Sequence, residues 1–292
     1  MKLGFSTPIV QRVPGRARSW EADAGVGDLL RIAQAADRLG YAWLTCSDHV
    51  AVPASHVGAM GATWYEPTAT LAFLAASTER IRLLCHVLVL PYRHPLVAAK
   101  AFATLDHLSG GRVIIGTGTG HLKPEFRSLG IDHAQRAAMS DEYLQALAVA
   151  LEQPTSSFRG RWVEWRDMVV SPRPHQQPRP PIWAGGNSAA AAERAAIHAD
   201  GWVPWQLEPE RLRHHLALAH EARRRVGRTA ELEVVAPFHV GREETAEDVR
   251  KRLRAWQNAG ATAAHLGFDS ADLEELLERM ELVQREVAPG LI

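Results

Sequence analysis

The chain has 292 residues, 46% of them hydrophobic, and 33 Lys and Arg balance 33 Asp and Glu. That balance offers no basic face for nucleic acid, and no run approaches the roughly 20 apolar residues of a membrane span. The apolar start MKLGFSTPIV is too short for a signal peptide, so a soluble cytoplasmic protein is expected. Cys46 and Cys85 both fall in apolar runs, which points to free thiols in a reducing compartment rather than a disulfide.

In chain order, Lys2–Ser6 reads as a first strand, followed by a loop over 7–27 carrying Pro8, Pro14, Gly15, Trp20 and Gly25. Asp28 is placed to cap a helix to Leu39, with Leu29, Ile32, Ala33 and Ala36 on one face and Gly40 as its stop. Ala42–Cys46 is a second strand ending in Ser47-Asp48-His49. A loop rich in Pro, Gly and aromatics follows over 50–65, then a helix started by Pro67.

The segment from Ile81 to Gly120 is one complete strand-helix-strand unit. It comprises the strand Ile81–Leu90, the helix Pro95–Leu108, the turn Ser109-Gly110-Gly111 and the strand Val113–Thr117, and it ends in Gly-Thr-Gly-Thr-Gly. Ala134–Leu151 is a long helical pattern. Residues 152–180 break the rhythm with five prolines around a hairpin turning near Arg159-Gly160, an excursion over one barrel face.

Regular alternation then resumes. Ile182–Ala184 is a strand, and Gly185-Gly186-Asn187-Ser188 opens the helix Ala189–Ala199. Trp202–Val203, Leu232–Val240 and Ala264–Gly267 are strands; Pro209–Val226, a helix begun by Thr245 with Asp248 as its box partner, and a striped helix from Leu273 follow them in turn. Eight buried strands alternating with eight helices predict a single (β/α)8 barrel, with loop insertions at its C-terminal face.

Barrel chemistry lies at the C-terminal strand ends. Asp48-His49 there is either an acid–base pair or a capped turn. His86 interrupts an apolar run and needs a polar partner. Cys85 and Val87 flank it. Thr117, Gly118, Gly120 and His121 end the fourth strand, Trp205 and Gln206 the sixth, and His239 the seventh. Gly185-Gly186-Asn187-Ser188 reads two ways, as a phosphate cradle at a helix N-terminus or as a tight turn capped by Ser188. Arg93 reads as a carboxylate ligand or as the anchor of a helix start.

These residues resemble the luciferase-like superfamily of flavin and deazaflavin barrel enzymes. The matching pieces are SDH at 47–49, RHP at 93–95, LDHLSGGR at 105–112, GTGTG at 116–120 and PPIWAGGNS at 180–188. EFRSLGID at 125–132 and the SPRP segment are most similar to the members that use coenzyme F420. The resemblance implies an F420-dependent oxidoreductase passing hydride between coenzyme C5 and a small organic substrate, with an FMN-dependent monooxygenase as the second possibility.

The resemblance also implies a cofactor ring against a bulge at Cys85, His86 and Val87, with a non-prolyl cis bond at His86–Val87 or a neighbour. It implies Asp48 on the ring edge, and Gly185, Gly186 and Asn187 on the phosphate. Thr117, Gly118 and Gly120 would complete the cofactor site, and His49 would face the substrate; His121 stands where sugar-phosphate-oxidising members carry an acidic residue, and His49 or His121 is the expected proton carrier. Val52-Pro53-Ala54 stands where sugar-phosphate-oxidising members carry a Trp, which points away from that substrate. No metal is expected, and a homodimer through the outer helices is. Two other classes remain to be separated from this one: a metal-dependent barrel hydrolase using His49, His86, His121 and His239, and a coenzyme-binding barrel without turnover.

Overall fold

A computed structural model describes residues 1–291. Its strands in chain order are β1 (Lys2–Phe5), β2 (Trp43–Cys46), β3 (Arg82–Val89), β4 (Val113–Gly118), β5 (Ser156–Arg159), β6 (Glu164–Met168), β7 (Ile182–Gly185), β8 (Gly201–Val203), β9 (Glu233–Val240) and β10 (Ala263–Phe268). The helices are α1 (Val26–Leu39), α2 (Val57–Met60), α3 (Pro67–Ala75), α4 (Pro95–Leu108), α5 (Lys123–Ser128), α6 (Arg136–Glu152), α7 (Ala189–His198), α8 (Pro209–Arg225), α9 (Ala246–Asn258) and α10 (Leu273–Leu282).

Eight strands form one parallel sheet in the order β1-β10-β9-β8-β7-β4-β3-β2. At the seam, the Ala42 amide donates to the Leu3 carbonyl at 2.8 Å. The amide of Thr45 donates to the Thr7 hydroxyl at 3.0 Å, and the Thr7 amide to that of Thr45 at 3.3 Å. The sheet thus curls into a nearly closed barrel ringed by helices, the expected (β/α)8 architecture.

Two apolar layers hold it. Inside the barrel, Trp43, Leu84, Ile114, Trp183, Val203, Val235 and Ala263 form a plug. Trp43 and Trp183 meet edge to face with centroids 5.2 Å apart, an arrangement the aromatic quadrupole favours. The plug needs glycine opposite each indole, because a Cβ at Gly4 would overlap the Trp43 ring and one at Gly201 would crowd Trp183. Outside, the alternate strand residues pack against the helices, Cys46 and Cys85 among them. Among the described residues no helix is long and apolar enough to cross a membrane.

Some boundaries differ from expectation. Asp28 does not cap α1. Gly25 does, and Asp28 sits three residues later with its carboxylate accepting the Gly25 amide at 2.9 Å. α5 was not expected, and a 3-10 turn, His133–Gln135, precedes α6. The hairpin is present as β5 and β6, with Gly160 donating to Val163 at 2.9 Å across the turn. It leans on the helical wall, where Glu142 of α6 accepts the amides of Arg161, Trp162 and Val163 at 2.7, 2.9 and 3.1 Å. Trp165 stands 6.0 Å from His94 at the start of α4.

Candidate active site

The end of β2 ties three neighbours together. The Ser47 hydroxyl donates to the His86 carbonyl at 2.9 Å. Asp48, 4% exposed, accepts two guanidinium N–H bonds from Arg93 at 2.6 and 3.0 Å and the Val89 amide at 2.9 Å. A bidentate pair of this kind is strong and directional. Both Asp48 oxygens are therefore engaged within the chain. Its geometry is that of a clamp joining the ends of β2 and β3, not of an open acceptor for a ring edge. Arg93 thus binds a carboxylate of the chain itself, just before α4 begins.

His49, the next residue, turns the other way. Its Nδ1 lies 2.8 Å from Oε2 of Glu125. Its ring stands 4.4 Å from Trp64 and 5.7 Å from the exposed ring of His121, edge to face in both cases. Glu125 is 2% exposed and satisfies four donors. Oε1 accepts the amides of Val50 and Ala51 at 2.6 and 3.1 Å, while Oε2 also accepts the Tyr92 hydroxyl at 2.7 Å. Burial alone would push this carboxyl up, but the bonds from His49, Tyr92 and Ala51 outweigh it and hold it below the ordinary carboxylate value. Burial and the same carboxylate push the Tyr92 phenol up, so it serves as a donor.

The third barrel strand carries the expected irregularity. The His86–Val87 peptide is cis, and the register against β4 shifts between Cys85 and Leu88. Val87 occupies the floor of the mouth between two glycines. A Cβ at Gly118 would lie 2.6 Å from its Cγ2, and one at Gly185 2.9 Å from its Cγ1. Half-buried His86 faces His265, with ring centroids 4.7 Å apart, and the Trp43 indole donates to Nδ1 of His265 at 3.3 Å. Burial drives His86 down to about 4, and burial together with His86 holds His265 well below the usual imidazole range. Both rings are neutral at pH 7.

Several expected contacts fall elsewhere. Cys85 is 0% exposed in the outer layer, so its side chain does not reach the mouth, and burial pushes its thiol up. Thr117, 2% exposed, points out of the barrel and donates to the Trp183 carbonyl at 3.0 Å. Side chains alternate faces along a strand, and these two fall on the outer one. Gly120, at φ 71°, is a close-packed turn where a Cβ would strike Val89 and Phe126.

Asn187 is committed to the loop after β8, its Oδ1 accepting the amides of Trp205 and Gln206 at 3.0 and 3.2 Å. Ser188 caps α7 by accepting the Ala191 amide at 3.2 Å. Gly186 sits at φ 124°, and its carbonyl accepts the Trp202 indole N–H at 2.9 Å. His239 is exposed and sits 2.9 Å from Asp269, which also pairs with Arg18. Among the described residues no group of three or more His, Cys, Asp or Glu could hold a metal ion.

Two loops cover the mouth. Residues 7–27 bridge to 50–65 through the Gln11–Trp64 pair. They reach the loop after β8, where the Arg16 guanidinium stands 5.2 Å from the Trp205 ring. Glu21 stiffens this arch by accepting the amides of Ile9 and Arg18 at 2.9 and 2.8 Å. Glu125, Tyr92 and His265 belong to the site but are not among the residues picked out at the strand ends. An acid in the first turn of a Pro-started segment just past the glycine loop was the available signal for Glu125, but its partner lies 76 residues away.

Fold and mouth together define a (β/α)8 barrel with a polar mouth built on a bulged third barrel strand. The family model described as luciferase-like monooxygenase matches residues 1–288, and the chain belongs to that family of oxidoreductases. An FMNH(2)-dependent dimethylsulfone monooxygenase from Pseudomonas putida is 30% identical over 196 residues, covering 66% of this chain and 51% of the relative. The match thus spans about half the length of that curated relative.

Among solved structures, monooxygenase RslO1 from Streptomyces bottropensis superposes with a TM-score of 0.83 at 21% identity, over 100% of both chains. An F420-dependent secondary alcohol dehydrogenase in complex with an F420-acetone adduct gives 0.81 at 16% identity, over 100% of this chain and 99% of that one. The oxygenating constituent of 3,6-diketocamphane monooxygenase from Pseudomonas putida, in complex with FMN, gives 0.80 at 16%, over the same shares. At these identities the likeness is one of fold.

Proposed function

We propose that this chain is an F420-dependent oxidoreductase that passes hydride between the coenzyme and a small carbonyl-like or unsaturated substrate, or runs the reverse. One observation supports the reading above the others: a histidine with a buried carboxylate behind it, His49–Glu125 at 2.8 Å, stands at the mouth whose floor is Val87 flanked by Gly118 and Gly185. The residues suit a flat ring with a phosphate tail. The floor presents Val87 between two glycines that carry no side chain, and Gly186 opens a capped helix N-terminus whose first amides favour an anion.

In this reading Val87, His86, Gly118 and Gly185 support the ring, and Gly186 with the start of α7 takes the phosphate. Asp48 and Arg93 act indirectly, by fixing the end of β3. The coenzyme supplies the hydride chemistry when bound. The chain's part is to hold the substrate near His49, to exclude water with the 7–27 and 50–65 loops, and to move a proton through Nε2 of His49. His121 is the second proton carrier, at the exposed side.

A second reading, an FMN-dependent monooxygenase, draws on the 30% identity to the Pseudomonas putida enzyme. Fluorescence titration with F420 and with FMN separates the two. Tighter F420 binding supports the first, tighter FMN binding the second, and binding of neither counts against both. A homodimer belongs to the same proposal. Phe73 on α3 with Val97 and Leu108 on α4 leave apolar side chains 44%, 60% and 73% exposed on the outer wall.

A further inference from the structure

We infer that Glu125 is a positioning residue that fixes His49 as the Nδ1–H tautomer and so presents Nε2 as a proton acceptor at the barrel mouth; the inference rests on the mouth being the catalytic site. The donors around the carboxylate can be counted. Oε1 of Glu125 faces two backbone amides, Val50 at 2.6 Å and Ala51 at 3.1 Å, and amides can only donate. Oε2 accepts the Tyr92 hydroxyl at 2.7 Å and lies 2.8 Å from Nδ1 of His49. An ionised carboxylate has no proton to give. Nδ1 must therefore carry the hydrogen, and the lone pair of the neutral ring is left on Nε2. Nε2 has no partner among the described residues and is not among the sealed, unpartnered atoms, so it is open to a ligand.

The same count makes Glu125→Gln an inverting substitution. The amide nitrogen cannot stand opposite the Val50 and Ala51 N–H groups, so it must take the place of Oε2. There it donates to Nδ1, and His49 has to move its proton to Nε2. A nearly isosteric change thus removes the lone pair from the mouth. Tyr92→Phe deletes one donor to Oε2 and leaves the tautomer as it was.

The test uses the whole chain without coenzyme, labelled with ¹⁵N-histidine and observed above the imidazole titration. The wild type and Tyr92→Phe are expected to show His49 as Nδ1–H, and Glu125→Gln as Nε2–H. Carbethoxylation by diethyl pyrocarbonate, which needs a free imidazole lone pair, should label Nε2 of His49 in the wild type and Tyr92→Phe. In Glu125→Gln that labelling should slow at least about tenfold. A wild type already in the Nε2–H form overturns the inference, as does an unchanged tautomer in Glu125→Gln or a switch in Tyr92→Phe. Failure of the wild type to bind F420 or FMN would instead count against the functional reading alone and leave the tautomer result untouched.

Discussion

His86 shows how one residue couples the mouth to the stability of the barrel. Burial lowers its pKa from 6.5 to about 4, and His265 moves the same way. A histidine whose folded pKa is depressed leaves the unfolded chain to take up the proton first. Its contribution is whole above about pH 6.5 and is lost as pH falls toward 4. His86→Leu should therefore flatten the decline of denaturant stability over that window; an equally steep decline would mean other groups carry it. Asp48→Ala strands Arg93, whose partner is 2% exposed on its side chain, and should cost about 3 kcal/mol in a urea titration. At this scale the sequence was half legible. The strand ends named the right neighbourhood. The bulge at 85–88 and the alternation of faces then decided which side chains entered it, so Val87 and Gly118 do while Cys85 and Thr117 do not.

Among the elements, the hydrophobic runs made every strand of the barrel readable, because a strand buried on both faces leaves a continuous apolar signature. α5 left none. It has six residues, with proline near its start, and its reason for existing is tertiary: it carries Glu125 under His49 and Phe126 against Tyr92, centroids 4.9 Å apart. The hairpin was readable from its turn, yet its placement was not, since the three amides held by Glu142 link it to a helix that sequence spacing does not connect to it. Glu142→Ala should speed hydrogen exchange at residues 161–163 and lower stability by about 1 kcal/mol, with no change in coenzyme affinity. A parallel loss of affinity would place the hairpin in the site after all.

On the scale of the whole molecule, an apolar plug underlies a polar mouth. Trp43 and Trp183 meet in the first, and the Trp43 indole touches the second through His265. Trp183→Ala should cost about 3–5 kcal/mol in denaturant unfolding, the usual effect of emptying an aromatic site. Val97→Glu on the exposed wall of α4 should leave the fold intact and shift a dimer to monomer in sedimentation; an unchanged sedimentation coefficient would remove that face from the account. The claim beneath all of these is that the ends of β2, β3, β4 and β7 surround one flavin-type coenzyme. A crystal structure of the chain grown with F420 measures it most directly. The account predicts ring density over Val87, between Gly118 and Gly185, with Nε2 of His49 facing its open side. Density at any other place on the barrel, or a mouth left empty at saturating F420 and FMN, would contradict it.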